Sequence, residues 1–256
     1  MPWIRFCTRE AVALKEASCY NYAVIVLYPM HGNDNKEEEK MNQTKDGAKP
    51  RTQVLGLVQA ALFAALIIIM AFTPFLGYIP LGFTRATIIH IPVILGALLL
   101  GPKKGAVLGF VFGMTSLINN TMNPTVTSFV FSPFYSLGEI HGGIGSIIIC
   151  FLPRILVGII PYYIYRFLRE KCKAPMTVSL GAAGLSGALT NTILVMGMIL
   201  LFFKDAYAAA NGIGTNAVYG FILSIIGMNG VPEAFVAAVI TAGVGKVLWK
   251  SKIVTG

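Results

Sequence analysis

Charged side chains are scarce in this sequence. Only 12% of its 256 residues are Asp, Glu, Lys or Arg, while 55% are hydrophobic. A soluble globular protein carries about 25% charged residues, so this composition excludes an ordinary water-facing surface and predicts an integral membrane protein. The first 50 residues carry seven basic and seven acidic side chains, and the remainder carries 13 basic and four acidic ones. The net charge of +9 therefore lies in the apolar part of the chain.

Motifs for metals, disulfides and nucleotides are also missing. The four cysteines form no Cys-x-x-Cys pair, and the three histidines are scattered. Gly245-Lys246 lacks the first glycine and the following hydroxyl residue of a phosphate-binding loop. The Lys and Arg residues form short clusters rather than a stripe with interleaved aromatics, which disfavours nucleic acid as a partner. We expect this chain to hold no metal and no cofactor. We also expect it to have no enzymatic activity, since no nucleophile-and-base set is evident.

The beginning of the chain differs from the rest. Residues 1–50 are polar apart from the stretch YNYAVIVLYPM, which is shorter than the ~20 residues of a membrane span. No small-x-small cleavage site follows that stretch, so a signal peptide is not predicted. Residues 1–40 have two open interpretations: part of an N-terminal extension, or untranslated sequence ahead of a start at Met41.

Residues 51–256 are predicted to form a single all-α membrane domain. Apolar runs recur between glycines, prolines and charges, and we interpret them as six transmembrane helices. The second and third runs are shorter than a perpendicular span requires, which hints at a cavity beside them. The six predicted spans are 54–73, 86–100, 105–118, 143–165, 177–203 and 218–249.

The basic residues predict the orientation. Twelve Lys and Arg residues fall in or beside the connections on one side of the membrane, and Arg85 and Lys204 fall on the other. Because cytoplasmic connections are enriched in Lys and Arg, both termini are expected in the cytoplasm. The segment between the third and fourth spans then faces outward.

Ionisable residues at membrane depth are costly, about 2.5 to 3.5 kcal/mol each on insertion scales, and therefore indicate function. Arg154 lies within an apolar run beside Pro153, and Glu233 follows Asn229 by four residues in the last span. Arg154 either contacts a ligand, pairs with Glu233, or extends toward the interface. Asn229 and Glu233 form either a polar notch for a ligand or a satisfied bond between helices.

The outward segment INNTMNPTVTSFVFSPF is rich in amides and hydroxyls and then turns aromatic. Neutral donors beside an apolar wall suit a small polar ligand, whereas a solvated loop would be polar throughout. We predict an outward-facing pocket here, to which the first outer loop adds Arg85, Tyr78, Thr87 and His90. The predicted ligand contacts in the segment are Asn119, Asn120, Thr121, Asn123, Thr127 and Ser128.

Small residues repeat on the first span. Ala60 and Ala64 lie on one face, and Ala61 and Ala65 lie beside them. This small-xxx-small spacing allows close helix approach in lipid, to a neighbour inside the chain or to a separate partner.

Three motifs in this order are familiar together: the alanine pairs of the first span, the pattern T-x-x-H-I-P-V-x-x-G-A-L-L-L-G-P-K-x-G from Thr87, and NGVPEA in the last span. Over roughly residues 51–250 the chain resembles the substrate-binding S components of energy-coupling factor (ECF) vitamin transporters. The segments INNTMNPTVTSFVFSPF and CFLPRILVGIIPYYIYRF resemble the pantothenate type most.

The resemblance implies a subunit of a bacterial cell membrane that captures a vitamin from outside. It implies as partners a transmembrane scaffold and two ATPases that use ATP, and it implies that Ala60, Ala61, Ala64 and Ala65 dock the scaffold. Arg154 or Arg85 would then pair with the carboxylate of pantothenate. The alternative from another class is a self-sufficient secondary transporter, for which Glu233 is the sole acidic candidate within the last three spans.

Overall fold

The computed structural model describes residues 54–73, 77–80, 85–138 and 140–250, with only the backbone of 78–80, 85–86 and 137. The predicted extension 1–50, with the question of Met41, lies outside the described residues. Within them the chain is mostly helical, as expected. The helices are α1 (Val54–Phe72), α2 (His90–Leu100), α3 (Pro102–Met122), α4 (Ile144–Val157), α5 (Ile160–Glu170), α6 (Met176–Phe202), α7 (Lys204–Ala210), α8 (Val218–Ile225) and α9 (Val231–Lys250).

In the part of the chain that the structure describes, four stretches are long and apolar enough to cross a bilayer: Val54–Phe72, Ile144–Glu170, Met176–Phe202 and Val218–Lys250. Many large apolar side chains on these helices are exposed, including Leu62 and Phe235. A surface of this kind is stable in lipid rather than in water. The expectation of a multi-pass membrane protein is confirmed, and the count of six spans stays a prediction.

The two short spans differ from their predicted limits. α2 begins at His90 rather than at 86, because residues 85–87 belong to a strand. α3 extends to Met122 rather than ending at 118. Its polar end stays helical because the Asn120 amide donates to the Ser116 carbonyl at 2.8 Å and the Thr121 hydroxyl donates to the Leu117 carbonyl at 2.8 Å. These bonds satisfy the side chains within the helix itself.

Two of the long spans are interrupted. The fourth breaks at Gly158 and Ile159, between α4 and α5, and not at Pro153, which lies within α4. Pro161, the second residue of α5, lacks a backbone donor and disfavours a continuous helix four residues earlier. The last span contains a π-helical turn, Ile226–Gly230, between α8 and α9 and just before Pro232. A π-helical turn changes the direction in which the side chains after it point from the helix axis.

Two small hairpins modify the all-α prediction. Strand β1 (Tyr78–Pro80) pairs antiparallel with β2 (Arg85–Thr87), and Tyr78 lies opposite Thr87. Strand β3 (Ser136–Leu137) pairs with β4 (Ile140–His141). Both hairpins precede a helix at the same end of the molecule, called the outer end here after the predicted orientation. A 3₁₀ turn, Ser128–Val130, lies between α3 and β3.

Among the described residues the helices pack around three apolar clusters. Two of them, an inner and an outer one, lie at different depths. The third joins α2, α6 and α9 and contains Ile91, Leu95, Ala188, Ala234 and Ala237. The inner cluster contains Ile94, Leu108, Val157 and Leu180, from α2, α3, α4 and α6. The outer cluster contains Phe129 and Val130 from the 3₁₀ turn and, from α4, α6, α7 and α8, Ile149, Val195, Ile199, Tyr207, Val218 and Ile222. The outer loops are thus packed against the helix ends rather than projecting from them.

Glycines allow α3 and α4 to approach closely. A side chain at Gly105 would collide with the Gly158 carbonyl and with Cβ of Ala97, which would lie 2.6 Å away. The Cys150 thiol donates to the Gly113 carbonyl at 3.3 Å, further along the same contact. Backbone packing of this kind is typical of helices in lipid, where small residues form the contact.

We expect Gly105→Leu to destabilise the folded protein by about 1–3 kcal/mol, because the added side chain forces α3 away from α2 and α5. Gly243→Leu is the matched control, since a Cβ at Gly243 meets no atom within 4 Å. Melting temperatures of both variants in detergent would test this. Equal melting temperatures would show that the tight contact contributes nothing.

Candidate functional site

Several buried polar residues lie between the inner and outer clusters, next to the third cluster of α2, α6 and α9. On α6 the order is Leu180 in the inner cluster, then Asn191 and Thr192, then Val195 in the outer cluster. The same order recurs on α4, where Arg154 lies between Val157 and Ile149. We call the polar layer the set His90, Arg154, Asn191, Thr192 and Glu233. A layer of polar groups inside a membrane domain is costly unless it binds something.

Arg154 is the charged centre of this layer. The residue is 6% exposed, and its Nη1 donates to the Ile149 carbonyl at 2.6 Å. Its guanidinium lies 4.9 Å from the centre of the Phe131 ring and 5.7 Å from that of Phe112. Stacking on aromatic rings holds the guanidinium without neutralising it. The guanidinium of Arg154 therefore lies buried among aromatic rings inside the domain and does not extend to the interface.

Glu233 lies beside His90 rather than in direct contact with Arg154. The carboxylate oxygen Oε1 of Glu233 is 3.3 Å from Nδ1 of His90, and both side chains are buried. The backbone of Thr87, at the end of β2, also interacts with this carboxylate, and Arg154 is close enough for its charge to act on it. The direct Arg154–Glu233 pair considered from the sequence is therefore replaced by a His90–Glu233 pair.

Asn191 and Thr192 were missed by the sequence analysis. Asn191 is 8% exposed, and a Cβ added at Gly230 would lie 2.9 Å from Cγ2 of Thr192. The α6 face that bears these residues therefore packs against the π-helical turn that precedes Glu233. The rule that singled out Arg154, a polar side chain inside an apolar run, applies equally to Asn191 and would have found it.

The predicted cluster of 119–128 is a hydrogen-bonded network that shapes the loop. Ser128 donates to the Asn120 side chain at 3.0 Å, and the hydroxyls of Thr121 and Ser132 are 2.7 Å apart. Asn123 donates to the side chain of Asn119 at 3.0 Å. Through this network the loop presents Phe131 to Arg154. The network also shows that the segment is not a simple solvated loop.

Contacts of this network with a ligand stay a prediction. The residues concerned are Asn119, Asn120, Thr121, Asn123, Thr127 and Ser128. Ser128 is fully buried and Asn119 nearly so, whereas Thr121 and Asn123 are exposed.

The other predicted contacts lie at the edge of this region. The backbone of Tyr78 and Arg85 forms the first hairpin, but their side chains lie outside the described residues. Asn229 lies in the π-helical turn, so the four-residue spacing to Glu233 does not place the two on one regular helical face. Residues of α5 line two surface cavities of about 540 and 590 Å³. These cavities lie near Tyr163 and Trp249, away from the polar layer. The outward-facing pocket stays a prediction.

The alanines of α1 divide between two faces. Ala60 and Ala64 are half-buried, and Ala64 packs against the inner cluster. Ala61 and Ala65 are exposed, together with the large side chains of Leu62 and Val58. Ala64 therefore packs within the chain, and docking of a separate partner by the four alanines stays a prediction.

The family is decided by comparison with known proteins. The family described as "ECF transporter, substrate-specific component" matches residues 56–245. The chain belongs to this family of substrate-specific ECF components. The resemblance seen in the three sequence motifs is confirmed, and membership assigns the chain a role in transport.

Two relatives are similar over most of their length. The "Pantothenic acid transporter PanT" of Lactococcus lactis subsp. cremoris is 34% identical over 197 residues, covering 76% of this chain and 93% of that protein. The "Pantothenate transporter PanT" of Leuconostoc mesenteroides subsp. mesenteroides is 31% identical over 202 residues, covering 75% of this chain and 91% of that protein. The substrate-specific ECF component described here thus resembles the pantothenate type most.

Among the described residues no three His, Cys, Asp or Glu side chains come together as a metal site would require. The side chains of the polar layer offer charge and hydrogen-bonding groups to a ligand. Arg154 supplies positive charge, Glu233 and Asn191 supply acceptor oxygens, and the rings of Phe112 and Phe131 supply apolar surface. This inventory suits a small anion that also carries hydroxyl or amide groups.

Proposed function

We propose that this chain is the high-affinity capture subunit for pantothenate in an ECF importer. It would cross a bacterial cell membrane six times with both termini in the cytoplasm, and would bind the vitamin from outside. A separate transmembrane scaffold and two ATPases would then supply the energy for release inside. ATP would act on those partners, since this chain carries no recognisable nucleotide motif.

The observation that carries the proposal is the buried guanidinium of Arg154, whose Nε has no hydrogen-bond partner among the described residues. Pantothenate is a small carboxylate with an amide, two hydroxyls and a gem-dimethyl group. Its carboxylate requires a cation, its polar groups require hydrogen-bonding partners, and its methyl groups require apolar walls. The polar layer and the Phe112 and Phe131 rings offer all three. The names of the two relatives agree with this substrate.

The location of the polar layer agrees with capture from outside. His90, Arg154 and Glu233 lie between the inner and outer clusters, at the level where the hairpins and the loop after α3 meet the helices. The polar loop residues Asn119, Asn120, Thr121, Asn123, Thr127 and Ser128, with Arg85, Tyr78 and Asn229, would close over the ligand.

Calorimetric titration of pantothenate into the purified, detergent-solubilised chain tests the proposal. We expect saturable one-site binding with Kd of about 1 μM or tighter, which corresponds to about −8 kcal/mol. The absence of heat and of competition against a labelled ligand would remove pantothenate as the substrate. The same titration with thiamin precursors and riboflavin would then identify the vitamin class.

The His90–Glu233 pair is the one observation that favours the secondary-transporter alternative, because buried ionisable pairs serve proton coupling in such proteins. Reconstituted liposomes distinguish the two functions. Uptake that requires the ATPases and ATP agrees with the capture role. Uptake driven by an ion gradient in vesicles that contain this chain alone would favour the alternative.

Docking of the scaffold would use the accessible face of α1. Ala61 and Ala65 are exposed between larger apolar side chains, so a partner helix could approach the backbone closely there. Ala60 and Ala64, being half-buried, would support this face from behind. The polar layer and the exposed face of α1 are different parts of the molecule, so mutations should affect ligand binding and scaffold docking independently.

A further inference from the structure

Several buried polar atoms have no hydrogen-bond partner among the described residues. They include Nε of Arg154, Oε1 of Glu233, Oδ1 of Asn191 and both ring nitrogens of His90. Nδ1 of His90 and Oε1 of Glu233 face each other at 3.3 Å without the alignment of a hydrogen bond. Buried polar groups are almost always bonded, so each unsatisfied atom needs an explanation.

The unpaired donors and the unpaired acceptors of this set lie on different helices. Arg154, on α4, leaves a donor unpaired, and a positively charged donor forms its strongest hydrogen bonds with an anionic acceptor. Glu233 and Asn191, on α9 and α6, leave acceptor oxygens unpaired, and these require donors. At α4 the polar layer therefore offers a hydrogen-bond donor to an anion. At α6 and α9 it offers acceptor oxygens to hydroxyl or amide groups of a ligand.

The levels of the residues support one shared site. Ile94 of α2 meets Gly187 of α6, where an added Cβ would collide with Ile94 Cδ1. One helical turn further out on each helix are His90 and Asn191. Because Gly230 contacts Thr192, the residues just after it on α9, including Glu233, lie near the same level.

We propose that this layer fixes the direction of the ligand, with the carboxylate end at Arg154 and the hydroxyl end at Glu233, His90 and Asn191. This inference rests on the proposed function, since it assigns the two ends of pantothenate to two sides of one site. The ligand has hydroxyl donors at one end and a charged acceptor at the other. The opposite direction would bring its carboxylate against Glu233 and leave Arg154 facing hydroxyls, which like-charge repulsion disfavours.

The proposal makes Glu233 a specificity-determining residue. A carboxylate accepts hydrogen bonds but donates none when ionised, so it selects ligands that carry donors at that end. The imidazole of His90 lies 3.3 Å from this carboxylate, at the same end of the site. Phe112 and Phe131, which flank the guanidinium of Arg154, would contact the apolar middle of the ligand.

Two ligands and two neutral variants test the direction. Panthenol is pantothenate with its carboxylate replaced by a neutral alcohol group, so comparing its Kd with that of pantothenate measures recognition of the carboxylate alone. We expect wild type to prefer pantothenate about 100-fold. Arg154→Gln should reduce this preference to within about threefold, because the removed charge served the carboxylate.

Glu233→Gln should act differently. We expect it to weaken pantothenate and panthenol by the same factor, about 10- to 100-fold, because both carry the same hydroxyl end. If Glu233→Gln instead tightens pantothenate binding, the carboxylate lies near Glu233 and the proposed direction is wrong. If Arg154→Gln keeps the full preference for pantothenate, the direction is equally overturned.

Controls separate this inference from the proposed function. Lys204→Gln, at the outer surface, should leave both affinities unchanged. His90→Gln is a second variant at the hydroxyl end should Glu233→Gln not fold, and it should also weaken both ligands together. Wild type that fails to bind pantothenate at all overturns the function and the direction. Wild type that binds pantothenate, with ratios other than those expected, overturns the direction only.

Discussion

Arg154→Gln should weaken pantothenate binding by about 100-fold or more, because it removes the charge that pairs with the carboxylate in a site shielded from water. Glutamine remains polar but is two atoms shorter than arginine, so the variant loses the bond to the Ile149 carbonyl as well as the charge. Calorimetry or competition against labelled pantothenate measures the effect, and an unchanged melting temperature in detergent confirms that the variant folds.

Lys204→Gln is the matched control for this result. Lys204 is also basic and lies at the outer end, but its Nζ lies 4.8 Å from the ring centre of Tyr219 on α8, away from the polar layer. Its removal should change the affinity by about twofold at most, since screening by solvent reduces the effect of a charge outside the site. Equal losses for the two variants would remove Arg154 from the ligand site and indicate general electrostatic attraction instead.

Ala61→Trp and Ala65→Trp should abolish ATP-driven uptake and leave pantothenate binding within about twofold of wild type. Both alanines are exposed on α1, and a large ring at either position keeps a partner helix from approaching the backbone. Because Ala64 and Phe63 rather than these residues pack against the inner cluster, the fold should persist. Uptake by proteoliposomes that contain the scaffold and ATPases, together with calorimetry on the isolated chain, separates the two effects.

The control for the docking face is a tryptophan on another exposed apolar surface. Ile193 on α6 is 54% exposed, so Ile193→Trp adds similar bulk away from α1. It should retain uptake. If tryptophan on α6 abolishes uptake as tryptophan on α1 does, then added bulk anywhere on the lipid-facing surface interferes. That result would refute a specific docking role of Ala61 and Ala65.

The contrast between Arg154 and His90 shows what pattern reasoning can find. Arg154 was identified because one charge inside an apolar run is costly wherever its neighbours lie. His90 was noted only as available to an outer cavity, and its pairing with Glu233 was not foreseen. A contact between residues so far apart in the chain depends on which faces of α2 and α9 meet, and no local pattern contains that information.

The outer loop shows a similar division. Its amides and hydroxyls were recognised as unusual, and the aromatic residues after them were expected to form a wall. Helix α3 continues through Asn119, Asn120 and Thr121, however, because their side chains bond within the helix and to the loop. Polar residues at a helix end predict a loop on propensity, but here their side chains bond to groups one helical turn earlier and so remain satisfied within the helix.

The sequence by itself determined that this protein lies in a lipid bilayer, which family it resembles, and which of its residues are costly to place in a membrane. These follow from composition, from motifs in order and from the energy of burying charge, all of which are properties of residues or short segments. Only the tertiary structure decided that α1 presents Ala61 and Ala65 outward, and that His90, Arg154, Asn191 and Glu233 share one depth. Those facts depend on helix rotation and on contacts between distant segments, which arise only when the whole chain packs.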